Sequence, residues 1–207
     1  MLLAALAPPL CAACGAWAAR TEPLCADCRA GLRWLPPGPV FLGALALWAP
    51  VAYDGPARAL VRGLKFGGVT RAAGAMAAQI AANAPPPMLD ADALVPVPLH
   101  PARLRRRGFN QAARLAAELS RRCGLPVHDC LERAGPAGTQ VGRGRAQRVE
   151  GVAGAIRLRA AERSPRSAVI VDDVATTGAT LSACAVALRA VGVARVTAIA
   201  YARTPGR

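Results

Sequence analysis

Two groups of residues in this chain have the types and spacing to do chemistry. The first is a set of four thiols, Cys11-x-x-Cys14 and Cys25-x-x-Cys28, with ten residues between the pairs. Each x-x spacing lets a tight knuckle aim two sulfurs at one centre, and a short return loop supplies the other two corners of a tetrahedron, so the pattern predicts a structural zinc site. A closed four-thiolate shell leaves no open position, so this site is expected to stabilise the fold and take no part in a reaction. Paired CxxC motifs also serve redox chemistry or disulfides, but no thioredoxin-like strand and helix frame surrounds either pair. Cys123, Cys130 and Cys184 fall singly along the chain and read as small core residues.

The second group is the run Val169-Ile170-Val171-Asp172-Asp173-Val174-Ala175-Thr176-Thr177-Gly178-Ala179-Thr180. An apolar strand ending in two carboxylates, then a turn of hydroxyls and glycine opening a helix, puts an anion cradle at the carboxyl end of a strand, where open α/β sheets bind ligands. Gly178 and the small Ala179 permit close backbone approach, and three threonines add donors. Carboxylates beside a phosphate would repel it, so the ligand must also bring hydroxyls or a bound cation, as a sugar phosphate does.

These groups need a frame. Leu45 to Tyr53 predicts a strand, Gly55-Pro56 a turn, Ala57 to Phe66 a helix, and Thr70 to Ala82 another, ended by the breakers Pro85-Pro86-Pro87. Leu94-Val95-Pro96-Val97-Pro98 predicts an extended segment, because proline removes ladder donors and holds its predecessor out of the helical region. A helix is expected over Asn110 to Cys123, strands over Ala168 to Val171 and Ala194 to Tyr201, and a helix over Gly178 to Val191. Gly135 to Val149, rich in Gly, Arg and Gln, predicts a mobile loop. Strands alternating with helices indicate α/β architecture with a parallel sheet. The run Leu35-Pro36-Pro37-Gly38-Pro39 reads as a linker, dividing the chain into a cysteine module at 1–38 and a larger domain at 39–207.

Composition narrows the partners. The 207 residues carry 26 Lys+Arg against 12 Asp+Glu, a net charge of +14 that invites nucleic acid or polyphosphate. Lys65 is the sole lysine in a chain crowded with Ala, Arg, Gly and Pro, which points to a codon bias behind part of that charge. Its placement is more telling than its total. Residues 93–150 hold eleven bases and four acids, whereas 1–92 hold seven bases and five acids. No stretch has the roughly 20 apolar residues of a spanning helix, and Met1 to Leu10 lacks a basic start and a cleavage site, so no membrane association and a cytoplasmic location are expected.

The Asp172 to Thr180 segment resembles the phosphoribosyl-pyrophosphate (PRPP) signature of type I phosphoribosyltransferases. That resemblance implies that Asp172 and Asp173 hold the ribose hydroxyls and that Thr176, Thr177, Gly178, Ala179 and Thr180 hold the 5′-phosphate. Further segments resemble the ComF competence family: LVPVPLHPARLRRRGFNQAARL over Leu94 to Leu115, Tyr53-Asp54-Gly55-Pro56, Leu64-Lys65-Phe66 and the four-cysteine start. The resemblance implies a type I phosphoribosyltransferase fold behind a zinc-ribbon-like module, PRPP as ligand with Mg²⁺, and a pyrophosphate loop around Leu99, His100, Arg103 and Arg107, with Lys65 a further phosphate contact. His100 could equally be a structural hydrogen-bonding group, and the run Arg105 to Arg107 a solvated face. It further implies a lid carrying Gln140, Arg145 and Arg148. Two functions follow: phosphoribosyl transfer to an acceptor the sequence does not name, or handling of single-stranded DNA in natural transformation, with a DNA-uptake helicase or another competence protein as partner. In the second, the PRPP site is a regulator or a relic.

Overall fold

The computed structural model describes residues 9–19, 22–66, 71–133, 156–159 and 164–205. Gln140, Arg145 and Arg148, and with them the expected loop, lie outside the described residues. The frame is a six-stranded sheet formed by β1 (Val40–Leu42), β2 (Leu45–Trp48), β3 (Val51–Ala52), β4 (Ala93–Pro96), β7 (Ser167–Ala175) and β8 (Arg195–Arg203). Its order is β1-β2-β8-β7-β4, with β3 also on β8; β1 pairs antiparallel with β2 and every other pairing is parallel. A separate antiparallel pair joins β5 (Leu131–Arg133) to β6 (Ile156–Leu158).

Both faces of the sheet are covered, as an all-parallel core requires. On one face lie α2 (Gly55–Phe66), α3 (Arg71–Asn83) and α6 (Gln111–Cys123). The buried positions of α2 are Ala57, Leu60, Val61 and Leu64, and those of α6 include Leu115, Ala116 and Leu119, each a helical stripe. They pack with Val169 and Val171 of β7 and Ile199 and Tyr201 of β8. The helix α7 (Ala179–Ala190) covers the other face with Leu181, Cys184, Ala185 and Leu188, against Ile170, Ala198 and Ala200. Strand alternation thus assigns successive residues of β7 to different cores.

Several expectations are corrected. The run from Leu45 to Tyr53 is two strands, broken at Ala49-Pro50 because proline cannot donate to a ladder. Gly55-Pro56 is not a free turn but the first turn of α2, a position where proline's missing N–H costs nothing. The same physics lets Pro86–Leu89 form a short helix, α4, inside the run read as a breaker. The segment after Pro98 gives a further helix, α5 (Pro101–Arg107), with Pro101 in its first turn and Gly108 ending it at φ 79°. β7 runs on past Val171 to Ala175, so the two aspartates lie within the strand rather than beyond its end.

The N-terminal segment, including α1 (Ala26–Ala30), packs on the α2 and α3 side: Cys11, Leu24 and Leu32 are buried in the same cluster as Trp48, Leu60 and Leu64. Backbone bonds tie its far end to the sheet, Leu35 N donating to Pro50 O at 2.9 Å and Ala52 N to Arg33 O at 2.8 Å. Among the described residues, no helix is long and apolar enough to cross a membrane.

Candidate functional site

The four clustered cysteines are brought together. Their sulfurs all lie within 4.8 Å of one another, with Cys14 Sγ and Cys25 Sγ 3.7 Å apart. Four sulfurs at about 2.3 Å from a zinc ion would sit about 3.8 Å apart, so the edge of this cluster has the size of a tetrahedral thiolate shell. A disulfide would need about 2 Å. Burial and the sulfurs of Cys14, Cys25 and Cys11 push the Cys28 thiol far up. Burial also opposes ionisation of Cys11, but backbone N–H groups of Cys14, Cys25 and Ala13 outweigh it and bring that thiol down to about 6. Four thiols this close cannot all ionise without a cation among them, and the all-sulfur set suits a soft or borderline metal such as zinc.

At the carboxyl end of the sheet, β7 leads into Thr176 and Thr177, both exposed, and then Gly178, at φ 74°, caps the start of α7. That backbone conformation is open to glycine and costly for other residues, and it turns the first N–H groups of α7 toward the loop. Ala179 N donates to Thr177 Oγ1 at 3.4 Å. Asp172, Val174, Ala175, Thr176, Thr177, Gly178, Ala179, Thr180 and Leu181 line one cleft. One carboxylate, three hydroxyls and a helix start therefore face a single open volume, a donor set for a hydroxyl-bearing anion.

The pleat starts Asp172 and Asp173 toward opposite faces. Asp172 opens on the cleft, and its Oδ1 accepts from Asp173 N at 2.8 Å. Burial, followed by the neighbouring charge of Asp173, raises the Asp172 carboxyl well above the usual carboxylate range. Asp173 points to the other face, is 2% exposed, and forms an ion pair with Lys65, whose Nζ stands 2.7 Å from its Oδ2. Lys65 stands in the last turn of α2, and from there it reaches Asp173 of β7 directly.

The arginine-rich segment lies beside this ion pair. Arg107 stacks over the Phe66 ring, 5.2 Å from its centroid, and donates to the buried Gln111 Oε1. Burial lowers the Arg107 pKa against the upward pull of Asp173, and Arg103 and Arg106 lower it further. Arg103 itself is exposed, and Leu99 is half-buried. His100 caps α5, its Nδ1 accepting from Ala102 N at 3.1 Å, the structural role the sequence left open. Asn110 anchors the turn that follows, donating to Val97 O at 2.9 Å while capping α6 through Ala112 N. Sequence reasoning missed Arg133 on β5: it is half-buried, with its pKa lowered by burial and then by Arg103, and raised by Cys184. A single Arg in a three-residue strand carries no local signal; only the fold brings it near α7.

Fold and site together define a mixed α/β protein with a mostly parallel sheet, an acid-and-hydroxyl cleft at the strand ends, and a four-cysteine cluster able to hold a metal. The chain is similar to Competence protein F of Haemophilus influenzae, 35% identical over 115 residues. The match covers 54% of this chain and 50% of the relative, so the chain spans about half the length of the curated protein it matches. No protein-family model matches. Among solved structures, it is similar to a purine phosphoribosyltransferase from Pyrococcus horikoshii, with 19% identity, a TM-score of 0.39, and coverage of 68% of this chain and 76% of the other.

Proposed function

We propose that this chain binds PRPP with Mg²⁺ at the carboxyl end of its sheet and transfers phosphoribose from it to an acceptor. One observation carries the reading: Asp172, Thr176, Thr177 and Thr180 share a cleft that a positive-φ glycine opens at the start of α7. In this reading the α7 start and the threonines take the 5′-phosphate, Asp172 and Asp173 take the ribose hydroxyls, and Arg103 and Arg107 with Leu99, His100 and Lys65 border the diphosphate. Mg²⁺, a hard cation preferring oxygen donors, would neutralise charge on the diphosphate, with Asp172 the cleft's own carboxylate donor. The four cysteines hold structural zinc in a module over 1–38 beside a phosphoribosyltransferase-like domain over 39–207. The reading predicts that Asp172→Asn weakens Mg²⁺-dependent PRPP binding about tenfold or more, since a hydrogen bond to a charged group is worth about 1.5–3 kcal/mol. Unchanged calorimetric binding in that variant would sink it.

A second reading, handling of single-stranded DNA, draws on the name of the Haemophilus influenzae relative and on α5, where Arg103, Arg105 and Arg106 are all exposed. It predicts single-strand affinity that falls steeply with salt and drops when Arg105 and Arg106 are replaced by Ala. Aromatic stacking, the other half of single-strand binding, has little to work with here, since Phe109 is the sole aromatic residue between 93 and 150 and its ring is already covered by Arg114 at 4.3 Å. If fluorescence anisotropy finds no DNA affinity at low salt, this reading fails and PRPP remains.

A further inference from the structure

Asp173 is an unusual partner for a ligand because its carboxylate already has a cation. It is almost fully buried, and Lys65 Nζ sits 2.7 Å from Oδ2. The cleft is lined by Asp172 and not by Asp173. A buried carboxylate keeps its charge only with a counter-ion, and Lys65 supplies one. A second cation stands close by: Arg107 of α5 stacks over the ring of Phe66, the residue that follows Lys65, and feels the Asp173 charge. Cations from α2 and α5 therefore border one buried carboxylate, a place where a further anion can be held.

We propose that Lys65 is an exchangeable counter-ion: it caps Asp173 in the ligand-free protein, and moves to the incoming diphosphate as Asp173 turns to the ribose hydroxyls. This rests on the PRPP reading and adds to it a mechanism for telling PRPP from sugar phosphates that lack the diphosphate. A ligand that offers hydroxyls without a diphosphate must displace Lys65 from Asp173 and gives the ammonium nothing in return. PRPP provides the replacement anion, so the same step costs it little. A lysine suits the exchange better than arginine would, being a compact charge on a flexible stem with three rotatable donors.

Two probes separate the outcomes, PRPP and ribose 5-phosphate, titrated calorimetrically at fixed Mg²⁺. In Lys65→Met the two affinities should move in opposite directions. Ribose 5-phosphate should bind about fivefold tighter because the cap is gone, and PRPP about tenfold weaker because a charged contact is lost. Both ligands moving the same way, or neither moving, overturns the exchange while leaving PRPP binding intact. If the unaltered protein binds neither compound, the PRPP reading itself has failed. A second measurement needs no variant. Lys65 is the sole lysine in the chain, so mass-spectrometric acylation rates at its side-chain amine report one site. Acylation should be slow without ligand, faster with saturating ribose 5-phosphate, and slow again with PRPP. A rate unmoved by saturating ribose 5-phosphate shows that Lys65 stays on Asp173, and overturns the proposal.

Discussion

Stripping metal from the protein with a chelator is expected to release the N-terminal segment and expose four reactive thiols together. The physical reason is how little else holds that segment. Among its described residues the fully buried side chains are Cys11, Leu24 and Leu32, while Trp17 between them is 76% exposed. Three buried side chains offset only a small part of the conformational entropy lost in ordering the segment. A structural zinc site adds about 10 kcal/mol or more to them. Freshly purified protein should therefore contain one zinc per chain by elemental analysis. Chelation should lower the melting temperature, and a thiol reagent should then label Cys11, Cys14, Cys25 and Cys28 as a set. Cys130 and Cys184, both buried in the main body, should remain unlabelled under the same conditions. Because Leu24 and Leu32 share a cluster with Leu60 and Leu64, part of the destabilisation should reach α2, the helix that carries Lys65. Protein purified without metal, or one whose melting and labelling ignore the chelator, would remove zinc from the account.

The sites differ in how far they could be read from sequence, and the difference follows the distance over which each is specified. The cysteine cluster and the Thr176 to Thr180 turn are encoded in short contiguous runs, so spacing alone predicts sulfurs that converge and a helix that starts at Gly178. The parallel sheet was legible for a similar reason, from apolar runs alternating with helical stripes. The pairing of Lys65 with Asp173 was not. It depends on which face of β7 receives Asp173 and on α2 being packed on that face, and neither is local. Reading the strand as ending at Val171 also hid the alternation that sends the two aspartates toward different cores. Proline misled in a consistent direction. At Pro56, Pro86 and Pro101 it marks a helix start, where a missing N–H is harmless, while sequence reading took the first two as turn or breaker and did not foresee the helix at the third. His100 shows a further limit, since a cap and a phosphate ligand ask for the same residue type, and only the 3.1 Å contact from Ala102 N shows that it caps α5.

Gly178→Ala should abolish high-affinity PRPP binding while leaving a folded protein, and the reason turns on which of two penalties dominates. A Cβ at this position would stand 2.2 Å from Leu42 Cδ1, a contact that cannot persist. Leu42, however, is only half-buried and lies on the edge strand β1, and the clashing atom is the tip of its side chain, which can rotate away. The backbone has no such escape. Gly178 sits at φ 74°, and holding alanine there costs about 1–2 kcal/mol. If the residue relaxes to negative φ, it rotates the amides at the start of α7 away from the cleft and removes the cradle. The expected result is a stability loss of about 1–2 kcal/mol in denaturant melts with PRPP affinity down at least tenfold. The Leu42→Ala/Gly178→Ala double variant separates the causes. It relieves the contact and leaves the φ penalty, so its PRPP binding should stay as weak as that of the single variant. Recovery of binding in the double variant would mean that the Leu42 contact, and not the left-handed turn, governs the site.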